Sequence, residues 1–156
     1  MRGSKPLMAV MPEAPTKARS SPLQSALHLL HRAGQRADGL FTGYGGNVLT
    51  PRQFAILQAV AEANGLSQTD IMAATGIDRS STADLVRRLV SHGWLQRRRT
   101  KRDARLYAVR LTPEGRHVLS QAAPAARATE ESLLAPLAIA DRATFLEALT
   151  LIAAVA

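Results

Sequence analysis

The segment spanning residues 66–112 constrains the fold more than any other part of the chain, because its turn-forming residues divide it into short pieces. Ser67, with an acidic residue three positions later, matches a capping box, so a helix is predicted to begin there. Gly76 ends this helix, and Gly93 ends the helix that follows. Residues 94–100 and 106–111 form two strand-like stretches around a polar turn at 101–104. The segment is therefore predicted to fold as a helix, a tight turn, a second helix and a β-hairpin.

The second helix of this segment is predicted to bury one side. Asp78 or Ser80 is expected to cap its N-terminus, since the side-chain oxygen of either residue can accept a hydrogen bond from an unpaired backbone amide. Its apolar residues recur at the three- and four-residue intervals typical of an amphipathic helix. The residues predicted to face inward are Ala83, Leu85, Val86, Leu89 and Val90.

Two further helices are predicted before this segment. Apolar spacing indicates an amphipathic helix from residue 22 to about residue 38, followed by a glycine-rich loop at 39–47. Thr50 then caps a helix that has Pro51 at its first position. The buried stripe of that helix is predicted to consist of Phe54, Leu57, Val60 and Ala61.

Two more helices are predicted after the hairpin. Thr112 caps a long helix with Pro113 at its first position, Pro124 is expected to kink it, and Pro136 ends it or lies just beyond. Asp141 is expected to cap the last helix. The apolar residues that this last helix carries are Phe145, Leu146, Leu149 and Ile152.

Charge is concentrated in one stretch of the chain. The stretch from Arg79 to Arg110 contains ten cationic residues and only two acidic ones, Asp84 and Asp103. Its net charge therefore equals the formal net charge of +8 of the whole chain. Because the remainder is nearly balanced, a polyanionic partner that meets one face of the protein is indicated.

Composition narrows the class of protein further. Hydrophobic residues make up 46% of the chain but aromatic residues only 4%, which favours an aliphatic, helical core. There is no cysteine, no uninterrupted apolar run of the ~18 residues that a membrane span needs, and no apolar leader at the N-terminus. A cytoplasmic protein without a membrane partner is expected. Residues 1–21, with three prolines, are predicted to form a disordered arm.

These patterns predict a mainly α fold with a small β-wing, in a single domain over residues 22–156. A winged helix-turn-helix is placed at about 48–112 and is flanked by helices at about 22–40 and 113–156. The flanking helices are more apolar than the winged unit needs for its own core, so they are predicted to form a homodimer interface. The alternative is that they pack only on the winged unit of the same chain.

Two local patterns carry a resemblance to a known family. Leu89, Gly93, Trp94, Leu95 and Arg97 form a Leu-x-x-x-Gly-apolar-apolar-x-Arg pattern, and Asp103-Ala104-Arg105 is followed by Leu111-Thr112 and Gly115. With the order of helices from about residue 22 onward, they resemble the MarR family of winged-helix transcriptional regulators. The resemblance implies a triangular dimer joined by its terminal helices, and repression of nearby genes that a small ligand relieves.

The N-terminal part of the helix that follows Gly76 is predicted to read base edges in the major groove of double-stranded DNA. Arg79 and Arg87 are candidates for bidentate contact with guanine, although Arg87 could equally contact phosphate, which is the role expected for Arg88. The other candidates on this helix are Ser80, Ser81 and Asp84. The backbone amides at the start of the preceding helix are expected to bind a phosphate; its residues there are Ser67, Gln68 and Thr69.

The hairpin is predicted to contact DNA beside the groove. Arg105 is the candidate for insertion into an A·T-rich minor groove, and Asp103 would orient it, as the family's Asp-x-Arg pair implies. Residues 97–99 are all arginine and alternate between the two faces of a strand, so at least one must face away from DNA. The other contacts predicted from the hairpin are Arg98, Lys101 and Arg102.

A ligand pocket is predicted from the family's arrangement, between the first helix, the second helix and the winged unit. The cationic residues of the first helix, which would neutralise an aromatic carboxylate or its coenzyme A thioester, are His28, His31, Arg32 and Arg36. The apolar wall is predicted to consist of Phe41, Tyr44, Phe54 and Met72. The cations could equally form a solvated helix face or contacts across the dimer.

No catalytic motif, metal site or cofactor is predicted. His28 and His31 are three residues apart, as metal ligands can be, but the chain has no cysteine and no obvious third ligand nearby. The chain is therefore expected to be a DNA-binding regulator, most simply a repressor, and not an enzyme. The alternatives are an activator of the same fold and a non-specific nucleic-acid-binding protein.

Overall fold

The computed structural model describes residues 25–45, 48–63, 65–99 and 107–154. It contains, in chain order, α1 (Ala26–Gly43), α2 (Pro51–Glu62), α3 (Gln68–Thr75), α4 (Arg79–Ser91), β1 (Leu95–Arg99), β2 (Tyr107–Leu111), α5 (Pro113–Leu134) and α6 (Ile139–Ala154). The chain divides into two compact units, one ending at Ala33 and one beginning at Gly34. The predicted N-terminal arm and the hairpin turn at 101–104 lie outside the described residues.

The predicted fold class is confirmed, with a two-stranded antiparallel wing among the helices. Leu95 pairs with Leu111 at the root of the hairpin and Arg99 with Tyr107 at its far end. Leu66 adds an isolated bridge to Val109, through backbone hydrogen bonds of 3.0 and 2.7 Å. The hairpin is thereby attached to the segment that leads into α3, and the winged unit closes around a core. The largest fully buried apolar residues of this core are Leu49, Ile56, Leu57, Ile71, Leu89 and Leu95.

Helix starts follow the capping residues that the sequence predicts. The Thr50 and Ser67 side chains each accept a hydrogen bond from a backbone amide, and each forms a complete capping box. Thr112 accepts from the amide of Gly115. Of the two candidates for α4, the structure selects Asp78, whose carboxylate accepts from the amide of Ser81.

Helix α1 does not end where its glycines predicted. The glycine-rich loop expected from residue 39 is wrong at its start, because the helix continues to Gly43. The reason is packing: Phe41 is buried and its ring centroid lies 5.4 Å from that of Phe54. Burying an aromatic side chain outweighs the roughly 1 kcal/mol that a glycine costs in a helix interior.

Two alanines predicted to be buried are exposed. Ala61 on α2 and Ala83 on α4 both face away from the core, whereas Ile56 and Thr82 on the same helices are fully buried. In α4, positions 82, 86 and 89 follow the four- and three-residue spacing of a single stripe, from which position 83 is rotated by about 100°. Ala83 therefore lies on the outer face of the helix.

Two other boundaries differ from the prediction. Trp94 does not belong to β1, which begins at Leu95. The Trp94 amide donates a hydrogen bond to the Leu89 carbonyl at the end of α4, and the Trp94 carbonyl accepts one from the amide of Thr112. Asp141 does not cap α6, which begins two residues earlier at Ile139, so that the Asp141 amide donates to the carbonyl of Ala138.

The C-terminal helices have very different burial. Helix α5 continues through Pro124 to Leu134, with Pro136 just beyond its end, while the kink at Pro124 stays a prediction. None of the residues of α6 is buried, although Phe145, Leu146 and Ile152 are apolar. Across the parts of the chain that the structure covers, none of the helices combines the length and the apolar character that crossing a bilayer requires.

Candidate nucleic-acid interface

The buried side of α4 determines which residues the helix presents to a partner. Thr82 is fully buried, and its hydroxyl donates to the carbonyl of Ile77 at 3.1 Å, so the first turn is attached to the preceding loop. Val86 and Leu89 continue the buried stripe. Helical geometry therefore places one set of residues together on the outer side. These exposed or half-buried residues are Arg79, Ser80, Ala83, Asp84, Arg87 and Arg88.

The N-terminus of α4 has an ordered hydrogen-bond network around Asp78. Its carboxylate accepts from the Ser81 amide at 2.9 Å and from the Ser80 hydroxyl at 2.7 Å. These bonds, that from the Ser81 amide foremost, hold the pKa of Asp78 far below its usual range. The Ser80 proton is thus committed to a carboxylate, and its hydroxyl oxygen is left as an acceptor on an exposed surface.

Asp84 lies among the arginines of the same face. Its two carboxylate oxygens pair with Arg87 and with Arg88, the latter at 2.8 Å. All three side chains are substantially solvent-exposed, so these pairs stabilise the helix little. Their effect is to keep both guanidinium groups close to the helix surface in the absence of a partner.

The N-terminus of α3 is partly occupied by its own cap. Asp70 accepts from the Ser67 hydroxyl at 2.6 Å and from the Ser67 amide at 3.1 Å, and these bonds lower the pKa of Asp70. The Asp70 amide in turn donates to the Ser67 hydroxyl. A phosphate at this helix end would have to bind through the amides of Gln68 and Thr69, close to an ionised carboxylate.

The strand register sorts the arginines of the hairpin by face. Arg97 and Arg99 lie on one face of β1, where the Arg99 guanidinium is 5.9 Å from the ring centroid of Tyr107. Arg98 lies on the opposite face with Gln96, and the cross-strand partner of Gln96 is Arg110. The hairpin thus presents cations on both faces, as the alternation predicted. Four other predicted contacts lie outside the described residues: Lys101, Arg102, Asp103 and Arg105.

The Leu-Thr-x-x-Gly pattern has a physical basis at the root of the wing. The Thr112 hydroxyl donates to the Gly93 carbonyl at 2.6 Å and accepts from the Gly115 amide at 3.0 Å. A Cβ on Gly115 would lie 2.0 Å from the carbonyl oxygen of Trp94, so no larger residue fits without backbone movement. These contacts join the end of α4, the hairpin and the start of α5.

The predicted ligand residues are not all brought together. Phe41 and Phe54 line an apolar cavity of about 310 Å³, which α6 also lines through Phe145. Among the described residues, its ionisable lining side chains are those of Asp38 and Glu130, and none of its lining side chains is cationic.

The other predicted ligand residues lie elsewhere. The hydroxyl of Tyr44 shares a 2.7 Å hydrogen bond with that of Ser132 on α5, and Met72 is half-buried on α3. On α1 the cationic candidates range from half-buried to exposed; they are His28, His31, Arg32 and Arg36. In the described part of the chain, no three side chains of the metal-binding types cluster as a metal site would require.

Sequence reasoning missed two features of this surface. Thr82 was overlooked because its residue type is polar, although its spacing to Val86 and Leu89 places it on the buried stripe. The grouping of Arg98 and Arg110 with Arg116 of α5 around one cavity was also missed, because it depends on how the hairpin packs against α2 and α5.

The chain is similar to known proteins in both sequence and fold. A model of the MarR family matches residues 49–106. A putative transcriptional regulatory protein for the hcr operon of Thauera aromatica is 32% identical over 98 residues, which span 63% of this chain but only 59% of that protein. The HTH-type transcriptional repressor NicR of Pseudomonas putida is 30% identical over 120 residues, which cover 76% of each chain.

Solved structures match over a larger share of the chain. BpsR of Bordetella bronchiseptica, whose DNA binding is regulated by 6-hydroxynicotinic acid, is 28% identical. It superposes with a TM-score of 0.79 over 85% of this chain and 95% of that one. The transcriptional repressor CouR, bound to a 23-mer DNA duplex, is 30% identical with a TM-score of 0.73, over 83% of this chain and 92% of that one.

Proposed function

Because this chain belongs to the MarR family of winged-helix transcriptional regulators, we propose that it is a homodimeric repressor that binds a pseudo-palindromic DNA operator. The operator would be duplex DNA in the cytoplasm, and a small anionic aromatic ligand would release the protein from it. The observation that carries the proposal is the outer face of α4, where Arg79, Arg87 and Arg88 are exposed while Thr82 and Val86 are buried.

The residues of α4 differ in what they can read. Arg79 and Arg87 carry guanidinium groups that can bind the O6 and N7 atoms of guanine together, a contact worth about 1–3 kcal/mol in discrimination. Arg88 is assigned to a phosphate. Ser80 acts as an acceptor, because its proton is donated to Asp78, and it therefore suits the exocyclic amino group of adenine or cytosine.

The rest of the interface holds the protein on the duplex. We assign the amides of Gln68 and Thr69 to a phosphate, which must approach on the side away from Asp70. The hairpin contributes Arg98 together with Lys101 and Arg102, and the Asp103–Arg105 pair is assigned to the minor groove.

The exposed apolar side chains of α6 support a homodimer. Leu151 is 71% exposed and Ile152 57% exposed, and neither packs into the core of its own chain. In the unit that ends at Ala33, Leu27 and Leu29 of α1 are also exposed. A two-fold dimer would bury such surfaces against each other and match a two-fold operator.

The apolar cavity lined by Phe41 and Phe54 supports an aromatic effector. Its volume of about 310 Å³ suits one aromatic ring, and 6-hydroxynicotinic acid regulates the structurally similar BpsR. The ionisable residues of the lining, Asp38 and Glu130, are both acidic. The carboxylate of a ligand would therefore need to pair with cations outside this lining. Arg32 and Arg36 of α1 are proposed for that role from the sequence alone, since neither is among the residues that line this cavity.

Selection from a random duplex library, followed by titration of the selected sequence, tests the proposal. A repressor of this kind should bind a two-fold symmetric fragment at least about 10³-fold more tightly than random duplex at physiological salt. Arg79→Ala should relax the preference at one base pair of each half-site, whereas Arg88→Ala should weaken binding to all sequences equally. Equal affinity for selected and random duplex would instead identify a non-specific nucleic-acid-binding protein.

Titration of the complex with aromatic acids and their coenzyme A thioesters tests the effector. A ligand of the proposed class should release the DNA and raise the melting temperature of the DNA-free protein. Phe54→Ala should reduce both effects, because the ring lines the cavity. If neither class of compound changes DNA binding or melting, the effector proposal is wrong while DNA recognition is unaffected.

A further inference from the structure

A second cavity lies between the winged unit and α5, apart from the apolar cavity lined by Phe41 and Phe54. It has a volume of about 600 Å³ and is half open to solvent, between the hairpin, the end of α2 and the first half of α5. Three arginines are among the residues that line it: Arg98 on β1, Arg110 on β2 and Arg116 on α5. Its size is within the range of small-molecule sites in proteins.

The lining of this cavity is strongly cationic. Among the residues that the structure describes, the lining includes no acidic side chain, and none of Arg98, Arg110 and Arg116 forms an ion pair with a carboxylate. Like charges held close together repel one another unless an anion lies between them. The arrangement is therefore stabilised by an anionic occupant that supplies several acceptor oxygens.

Two of the arginines are positioned by contacts within the winged unit. The Arg110 side chain lies directly over Gly65, with its Cγ and Nε only 3.1 Å from where a Cβ would stand. Gly65 has a φ of +125°, which favours glycine, so the room for Arg110 is built into the backbone. The Nε of Arg98 donates to the Oε1 of Gln96 at 3.3 Å, on the same face of the hairpin.

The rest of the lining combines polar residues, Gln96 and Ser120, with apolar ones. Val60 of α2, Leu111 of β2 and Leu119 of α5 form part of the lining between the arginines. Apolar surface beside several guanidinium groups suits a molecule with a carbon skeleton and more than one acidic group.

We propose that this cavity binds a small ligand that carries two or more carboxylate or phosphate groups. Arg98, Arg110 and Arg116 bind its acidic groups, and the half-buried Leu119 and Ala123 contact its carbon skeleton. Arg98 is also one of the proposed DNA contacts, so a bound ligand would make Arg98 unavailable to DNA. This effect on DNA binding rests on the proposed function, whereas binding of the ligand can be measured without DNA.

Calorimetric titration of the DNA-free, full-length protein tests the site with three probes at equal ionic strength. Isophthalate carries two carboxylates on a ring, benzoate carries one, and pyrophosphate supplies phosphate groups without a skeleton. Isophthalate or pyrophosphate should bind saturably and at least about tenfold more tightly than benzoate, because a second charged contact forms. The stronger of the two probes shows whether carboxylates or phosphates are preferred.

Matched variants distinguish binding in this cavity from non-specific binding of anions to a basic protein. Arg116→Gln should weaken binding at least about tenfold, whereas Arg127→Gln, which removes the same charge further along α5 and outside the lining, should not. Ala61→Glu should also abolish binding, since Ala61 lines the cavity and is exposed, and Ala61→Gln controls for its size.

Three results would overturn the proposal. The first is the absence of saturable binding by either polyanion, and the second is equal affinity of Arg116→Gln and Arg127→Gln. The third is a loss of DNA affinity in Arg116→Gln, without ligand, as large as its loss of anion affinity, because the cavity would then serve DNA phosphates.

Discussion

The winged unit and helix α6 both carry many aliphatic side chains, but only the winged unit buries them within one chain. Ile71, Val86 and Leu89 are completely inaccessible to solvent, whereas α6 contains no buried residue and its Leu151 is 71% exposed. The winged unit thus buries its aliphatic side chains within one chain, in a core that Phe41 of α1 and Val118 of α5 complete. Helix α6 requires a further surface, which we propose is a second copy of the chain.

The largest effect is expected from a charge placed on the exposed apolar surface of α6. Leu151→Glu should raise the dimer dissociation constant about 1000-fold, because the side chain occurs twice in a symmetric interface and each burial is worth about 2 kcal/mol. Sedimentation equilibrium measures the change. Thr150→Glu, on the more polar side of α6 with Glu147, is the control and should dimerise normally. Equal dissociation of both variants, or of neither, would contradict the proposed interface.

The next largest effect is expected at Gly115, at the start of α5 beside the root of the wing. Gly115→Ala should lower the free energy of unfolding by about 3 kcal/mol, because its Cβ would lie 2.0 Å from the Trp94 carbonyl oxygen. Gly39→Ala in α1, where no atom lies within 4 Å of the added Cβ, should stabilise the protein by about 0.5–1 kcal/mol. Urea titration measures both variants, and a neutral Gly115→Ala would show that the wing root is not closely packed.

A smaller effect is expected at the α4 surface. Asp84→Asn should raise the affinity for random duplex about fivefold, because it removes a negative charge and releases Arg87 and Arg88 to bind phosphates. Glu131→Gln on α5 changes the net charge equally, so it reports the effect of total charge alone. Fluorescence anisotropy at two salt concentrations compares them; identical affinities would mean that Asp84 does not hold the arginines back.

The smallest effect concerns the cap of α4. Asp78→Ala should lower the melting temperature by a few degrees at pH 7, because the Ser81 amide loses its acceptor. The pKa of Asp78 is depressed in the folded state, so its stabilisation is complete above the unfolded value of about 3.9. The difference from the parent should narrow as the pH falls below that value toward the folded pKa.

Asp78→Asn is the matched control for that experiment. Asparagine caps helices about as well as aspartate but does not titrate, so this variant should keep its stability at pH 7 and lack the acid dependence. Melting curves between pH 2.5 and 7, at roughly constant ionic strength, provide the comparison. The same acid profile in Asp78→Asn would assign the dependence to other carboxylates.

Local chemistry explains which predictions succeeded. Thr50, Ser67 and Thr112 cap helices because a side-chain oxygen and a backbone amide a few residues away are sufficient for a cap. The extension of α1 through Gly39 was not predictable in this way, because it depends on Phe41 meeting Phe54 from another helix. Ala83 was misplaced because alanine fits both faces of a helix, so only the buried neighbours decide its side.

The candidate site likewise combines features set by neighbouring residues with features set by tertiary contacts. A basic helix-turn-helix and hairpin could be predicted from the sequence, since caps, glycine stops and charge are properties of neighbouring residues. The tertiary structure was needed to show that Arg98, Arg110 and Arg116 line one cavity, and that none of the residues of α6 is buried. The physical reason is that such groupings depend on contacts between residues distant in the chain, which spacing and composition do not encode.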